Sequence, residues 1–340
     1  MLAMPTSTSQ SIAAIVLAAG EGTRMGSPDV AKVLHEVAPG VPALRYLVHQ
    51  LSSAGVTSFS IVTGAYADQV EATLASPSSP FDVTFAFQAE RRGTGHATLL
   101  GASALSTHDF SAILVAMGDK VTTASTISRL LDTHFTASAA LTLAVSPRRP
   151  DNEQGRVVVD ETGEVLGIVE VADLVAARAT VEVHRLFTEA HVLHSAVVRG
   201  AIAYFLPPSG KIPRVLRDLW DAAQEETTIA GDRLPILAPD ASATLRLAGH
   251  DVAPDWVAAH APFVNEALYV FSPAALDLAL GGLESDNAQG ELYLTDTVAL
   301  LRANAMPVQV VLVAEGDIVG FNTPDELAHV RTAVAAWTQA

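Results

Sequence analysis

The chain has 340 residues, and Asp and Glu outnumber Lys and Arg by 37 to 20, giving a formal net charge of −17. Such a charge disfavours nucleic acid and anionic lipid as partners, and the absence of Cys excludes disulfides, thiolate metal sites, Fe–S clusters and Cys nucleophiles. Hydrophobic residues make up 49% against 17% charged, which excludes intrinsic disorder and, at this length, allows a core without staples.

Residues 1–11 are small and polar and read as a flexible leader. IAAIVLAAG follows, a short apolar run ending at Gly20, as expected of a buried parallel strand. No basic segment precedes it, and no apolar run reaches the about 18 residues of a membrane span, so a cytoplasmic protein without signal peptide or membrane contact is expected. Pro42 to Ala54 has helical periodicity, with Leu44, Leu47, Val48 and Leu51 on one face and Gly55 as the stop. SFSIVTG, VTFAFQAE, AILVAMGD and AALTLAVS read as strands, with helical stretches ATLLGASAL and STISRLLDTHF between them. This alternation predicts a doubly wound α/β sheet, with ligands at the carboxyl ends of its strands. GRVVVDETGEVLGIVE reads as a hairpin around Thr162-Gly163. From Val171 to Phe263 the pattern is weaker, with one helix candidate, PRVLRDLWDAAQEE, and the Pro-containing loops FLPPSGKIP and LPILAPDA. NEALYVFS and VQVVLVA are the last strands. The closing helix starts at Thr323-Pro324-Asp325-Glu326, where Thr323 and Glu326 have capping-box spacing.

The first strand-to-loop junction, Leu17 to His35, carries Gly20, Gly22, Arg24 and Lys32. Glycines let backbone N–H groups surround a phosphate, and Arg and Lys supply charge that this acidic chain lacks elsewhere. The loop is neither a Walker A sequence nor a dinucleotide fingerprint, and a tight turn is the alternative reading. Asp119 ends an apolar strand, where a carboxylate suits a hard cation or caps a helix. Gln88 has both a donor and an acceptor with which to read a base edge. His96 reads as structural rather than catalytic, and Arg91 and Arg92 as rim charges. Asn287 alone reads as a turn residue, and Glu170 alone as a hairpin carboxylate.

LAAGEGTRM…KVLH resembles the signature of the sugar-nucleotide pyrophosphorylases, above all the uridyltransferase domain of the bacterial N-acetylglucosamine-1-phosphate uridyltransferases. QAERRGTGHA (Gln88–Ala97), MGD (Met117–Asp119) and DNAQGELYLTD (Asp286–Asp296) agree in the same order, as do the shorter strings QGRV…GIVE, VNEALYVF and GFNTPDEL. The resemblance implies a Rossmann-like doubly wound mixed sheet of the nucleotide-diphospho-sugar transferase type. It also implies an Mg2+-dependent nucleotidyltransferase that makes a UDP-sugar and pyrophosphate from UTP and a sugar 1-phosphate, N-acetylglucosamine 1-phosphate first. Under it, Arg24 and Lys32 are catalytic. Leu17, Ala18, Ala19, Gly20, Gly22, Gln88, Gly93 and Thr94 bind the nucleotide, Gly155, Glu170 and Asn265 the sugar, and Asp119 and Asn287 the metal.

The sequence departs from the family pattern in four places. Lys120-Val121-Thr122 follows Asp119 where the family has a hydrophobic residue and Pro, and Met117 replaces a common Tyr. The Met25-to-Lys32 interval is one residue longer than usual, with Ala31 in place of a Pro. About 80 residues stand where the family has a short connection, so 12–170 and 264–340 are expected to form the nucleotidyltransferase domain and 171–263 a partly helical inserted subdomain. That insertion is a candidate for self-association and leaves the sugar open. The family's acetyltransferase arm is not expected after Gly320. The rival readings are a nucleotidyltransferase for another sugar or polyol phosphate or another nucleoside triphosphate, and a non-catalytic nucleotide-sugar-binding regulator.

Overall fold

The computed structural model describes residues 10–27, 29–74, 81–149, 152–206, 212–239 and 243–339. The expected leader lies outside the described residues as far as Ser9, as do the middle of the FLPPSGKIP loop and residues 240–242.

In chain order the first strand, β1 (Ile12–Leu17), is followed by α1 (Ala43–Ser53), β2 (Ser58–Thr63), β3 (Asp82–Phe87), α2 (Thr94–Ala104), β4 (Ala112–Met117) and β5 (Lys120–Thr122). Next come α3 (Ala124–Thr136) and β6 (Leu141–Pro147). The hairpin β7 (Arg156–Val159) and β8 (Val165–Val169) leads into α4 (Val171–Glu189), α5 (Ser195–Phe205) and α6 (Arg217–Glu225). The chain returns through β9 (Phe263–Phe271), β10 (Val308–Leu312), β11 (Ile318–Gly320) and α7 (Pro324–Gln339).

These elements fall into two compact units, 1–146 with 265–282 and 304–340, and 147–264 with 283–303. In the first unit β1 pairs in parallel with β2 and β4, and β2 in parallel with β3. β9 runs antiparallel to β4 and also pairs with β6, which takes β10 in parallel. The result is a mixed sheet whose central strands are apolar on both faces, as the continuous run in β1 predicts: Ala13 to Val16 are fully buried. Leu44, Leu47, Val48 and Leu51 of α1 join Val16, Leu114 and Val270 in one core cluster. A second cluster joins Met25, Val37 and Val121 to Phe321, Leu327 and Val330, fastening the loop after β1 to the start of α7.

In the second unit β7 and β8 form the expected hairpin. Its turn is held by the Asp160 carboxylate, which accepts from the backbone N–H groups of Thr162 and Glu164. The segment that the sequence leaves weakly defined is largely helical. β-branched Val171, Val175, Thr180, Val181 and Val183 lower the helix propensity of α4, but tertiary packing prevails. Ala179, Val183 and Phe187 bury against Val198 and Ile202 of α5 and Leu219 and Ala223 of α6. The compact division lies at Pro147, and 283–303 returns to the second unit, so these bounds differ from the 171–263 read from the sequence.

Candidate active site

The loop after β1 opens where Ala18 still donates its N–H to Val62 O, 2.8 Å away. Gly22 lies in the left-handed region at φ 62°, and a Cβ there would stand 2.4 Å from Lys32 Cβ, so only glycine suits both the turn and its neighbour. A short 3-10 turn over Thr23–Met25 follows, with Met25 buried as its anchor and Arg24 exposed. Lys32 is only 7% exposed. Its Nζ lies 2.5 Å from Asp119 Oδ2, 2.7 Å from Asn322 Oδ1 and 5.7 Å from the Phe321 ring centroid. Arg24 donates to the same Asn322 Oδ1 at 3.0 Å. Asp119 reaches this position because Gly118 N–H bonds to Leu17 O at 2.9 Å, bringing the end of β4 against the end of β1. The structure thus joins Arg24, Lys32 and Asp119, and the longer Met25-to-Lys32 interval does not separate Lys32 from Asp119.

Lys120 turns away from this group, donating to Glu266 O at 2.9 Å and Glu266 Oε2 at 3.2 Å. This is the alternation expected of neighbouring residues on a strand. Gln88, buried, donates from Nε2 to Gly93 O at 3.2 Å and lies 3.2 Å from His96 Nδ1. His96 therefore orients Gln88, and Gly93 caps the N-terminus of α2, whose first residue is Thr94. Asn265 is buried in the kink of β9, donating to Tyr269 Oη at 2.6 Å and accepting from Ala267 N–H at 2.9 Å. Ala267 itself sits at φ 54°.

Gly155, Glu170 and Asn287 belong to the second unit. A Cβ on Gly155 would come 3.4 Å from Glu170 Oε1, so these two expected sugar residues are adjacent. Glu170 Oε1 also accepts from Thr295 Oγ1 at 2.9 Å. Asn287 Oδ1 accepts from the backbone N–H groups of Gln289, Gly290 and Glu291 at 3.2, 2.9 and 3.2 Å. Its Nδ2 donates to Glu291 O at 2.6 Å.

As a cation ligand Asp119 fits, with 32% of its side chain accessible beside a glycine loop. The Asn287 amide oxygen is engaged by its own loop. No group of three or more His, Asp or Glu among the described residues is placed to hold a metal. A magnesium ion needs none, since it takes one or two protein oxygens and keeps substrate phosphates or water for the rest.

Two features escape sequence reading. One is Asn322, which the string GFNTPDEL contains but which nothing local marks as the partner of residues almost 300 positions earlier. The other is an acidic cluster in the second unit. Burial pushes the Asp173 carboxyl up to about 6, against a hydrogen bond from Ala288 N–H and with the Glu170 charge adding to the rise. Burial, then the charges of Asp173 and Glu170, pushes Asp296 up to about 7. The buried Tyr293 hydroxyl, which has no hydrogen-bond partner among the described residues, is raised by burial and by the same carboxylates. The acidic residues flanking the expected metal and sugar positions, Asp173 and Asp296, were the available signal.

Comparison with known proteins fits this geometry. The nucleotidyl transferase family model matches residues 13–201. The bifunctional protein GlmU of Mycolicibacterium gilvum is 30% identical over 337 residues, covering 96% of this chain and 51% of that protein. GlmU of Brevibacillus brevis is 38% identical over 291 residues, covering 86% of this chain and 44% of its own length. The chain spans about half the length of the curated relatives it matches most fully. Among solved structures, a glucose-1-phosphate thymidylyltransferase from Bacillus anthracis superposes with a TM-score of 0.58 at 13% identity, covering 95% of this chain and 94% of that one. That likeness shows a shared fold, the mixed sheet of the nucleotide-diphospho-sugar transferases.

Proposed function

The chain belongs to the nucleotidyl transferase family and is a nucleotidyltransferase, and we propose that it joins UTP to a sugar 1-phosphate, N-acetylglucosamine 1-phosphate first. In this reading an oxygen of the sugar phosphate attacks the α-phosphorus of UTP in line. The bond from that phosphorus to the bridging oxygen breaks, its electron pair leaves with pyrophosphate, and a UDP-sugar results. No protein nucleophile takes part, so the residues act by positioning and electrostatics. The observation that carries the reading is the meeting of Lys32 with Asp119 at 2.5 Å, with Arg24 held alongside through Asn322.

Arg24 and Lys32 supply positive charge to the nucleotide phosphates and the departing pyrophosphate. The backbone from Leu17 through Ala18 and Ala19 to Gly20 and Gly22 cradles the nucleotide, and Gln88, Gly93 and Thr94 receive the uracil. Glu170, beside Gly155, accepts from sugar hydroxyls, and Asn265 is assigned to the sugar on the family resemblance. Asp119 would hold a divalent cation, proposed as Mg2+, whose chemistry when bound is to neutralise charge on the reacting phosphates. Asn287 is assigned to the metal on the family resemblance alone. Residues 171–263, with an apolar cluster of their own, are proposed as an addition to the nucleotidyltransferase domain.

The test is a pyrophosphate-release screen crossing four nucleoside triphosphates with a panel of sugar 1-phosphates, with and without Mg2+. Release with UTP and N-acetylglucosamine 1-phosphate, lost without Mg2+ and in Asp119→Ala, is the expected result. A different productive pair would correct the substrates. No release from any pair would overturn the reading in favour of a nucleotide-sugar-binding regulator.

A further inference from the structure

We infer that Lys120 and Glu266 are positioning residues for the sugar phosphate, because their buried pair holds the kink of β9 that sets Asn265. The inference rests on the assignment of Asn265 to the sugar made above.

The kink lies at Ala267, whose φ of 54° is in the left-handed region that disfavours any residue with a Cβ. The register of β9 with β4 begins just after it, at Leu268 opposite Ala116. A residue keeps such a conformation when its surroundings over-determine it. Here Ala267 N–H points back at Asn265 Oδ1, 2.9 Å away, while Asn265 Nδ2 donates to Tyr269 Oη at 2.6 Å. Both ends of the Asn265 amide are thus fixed by the kink and the strand that follows it.

From outside β9 the kink is held by Lys120. Its Nζ donates to Glu266 O at 2.9 Å and to Glu266 Oε2 at 3.2 Å, so one ammonium grips the main chain and the side chain of the same residue. The carbonyl that Lys120 takes and the N–H that Asn265 takes belong to one peptide plane, that between Glu266 and Ala267. Because this plane is rigid, the ammonium fixes its direction and with it the Asn265 amide. Ser146 Oγ, near the end of β6, donates to Glu266 Oε1 at 2.6 Å, so each oxygen of this buried carboxylate has a donor. The stem of Lys120 needs room to reach β9. β11 supplies it by placing Gly320 opposite Lys120, where a Cβ would stand 2.9 Å from Lys120 Cγ. Lys120, which departs from the family pattern, therefore serves β9 rather than its neighbour Asp119.

The test measures steady-state pyrophosphate release and thermal melting in wild type, Lys120→Met, Lys120→Met with Glu266→Gln, Ala267→Gly, and Lys120→Met with Ala267→Gly. Lys120→Met keeps the stem and removes the donor, so the KM for the productive sugar 1-phosphate should rise about tenfold, the order lost with one hydrogen bond to a ligand. The kcat and the KM for UTP should stay within about threefold and the Mg2+ requirement within about twofold. Lys120→Met alone leaves a buried carboxylate without its cation and should melt lower, whereas adding Glu266→Gln restores most of the melting temperature and keeps the raised KM. Glycine takes the left-handed turn unaided, so in the Ala267→Gly background Lys120→Met should raise the KM less than about threefold. A merely structural pair would not show this split or this coupling. If wild type turns over and the Lys120→Met, Glu266→Gln protein keeps the wild-type KM for the sugar phosphate, the inference is wrong while the functional reading stands. A loss confined to kcat and the Mg2+ requirement would also overturn it, by tying Lys120 to Asp119, and so would an equal rise in KM in the Ala267→Gly background. If wild type turns over no substrate pair, the functional reading fails and the inference with it.

Discussion

In the first unit Lys32 meets Asp119 and shares Asn322 with Arg24, so each positive group has an acceptor. In the second, Glu170, Asp173 and Asp296 bring like charges together around the Tyr293 hydroxyl, and burial raises Asp173 and Asp296. The first arrangement is preorganised for an anion, because its cations are already in place when a phosphate arrives. In the second, Asp173 and Asp296 hold their protons to higher pH than ordinary carboxyls do. The proposed reading puts Arg24, Lys32 and Asp119 in the first unit, and Gly155 and Glu170 in the second.

Substitution at the paired charges has the largest expected effect. Lys32→Ala should lower kcat by about 10²–10³, the usual cost of one preorganised donor, with a much smaller change in uridine binding. Glu170→Ala should instead act mainly on the KM for the sugar phosphate. Kinetics of both variants would break the comparison if Lys32→Ala kept the wild-type kcat or Glu170→Ala lost it.

Gly22→Ala comes next. The new methyl would meet Lys32 Cβ at 2.4 Å, and φ 62° would strain any L residue by roughly 1–2 kcal/mol. Relief requires Lys32 to move, so kcat should fall at least about tenfold, alongside a modest loss in thermal stability. A stability loss with unchanged kcat would separate the turn from the role proposed for Lys32.

Much of the first unit's site is legible in the sequence, because its parts lie at the ends of β1 and β4, where an apolar run stops at Gly-rich or acidic residues. The helix periodicity of α1 and α3 and the capping box of α7 are equally local. Asn322 is not legible, since its partners are brought to it by strand pairing and by burial of Phe321. The second unit is read poorly for two reasons. Its helix α4 carries β-branched residues that weaken the helical signal, and 283–303 rejoins it after the chain has passed through the first unit. The resemblance strings locate Asn287 and Glu170 but not the hydrogen bonds that occupy them.

Stability against pH should separate the units by sign. His134 is buried against Thr142 and held down to about 4, below its usual 6.5, by burial. Its depressed value means that the stability it contributes is full above about 6.5 and declines as pH falls toward about 4. Asp173 and Asp296 are raised, so their contribution is full near pH 4 and declines as pH rises to about 7. Asp296→Asn should therefore stabilise the protein near pH 8 relative to its effect near pH 5, and His134→Gln should soften the acid side. Melting curves of both variants across that range test the signs. Parallel pH profiles for the two would remove the contrast between the units.

The smallest expected effect is at Arg91, whose guanidinium lies 3.1 Å from Glu21 at the mouth of the glycine loop. Both side chains are exposed, 60% and 37%, so water screens the pair and its side chains lose entropy in forming it. Exposed pairs of this kind contribute about 0–1 kcal/mol. Arg91→Ala should therefore leave melting within about 2 °C of wild type and kcat within about twofold. Lys32 and Arg91 both pair with a carboxylate near the same loop, but only Lys32 is buried and shared with a second acceptor. A loss of kcat in Arg91→Ala approaching that of Lys32→Ala would mean that the loop is held from its rim, and that burial of Lys32 is not what sets the first unit apart.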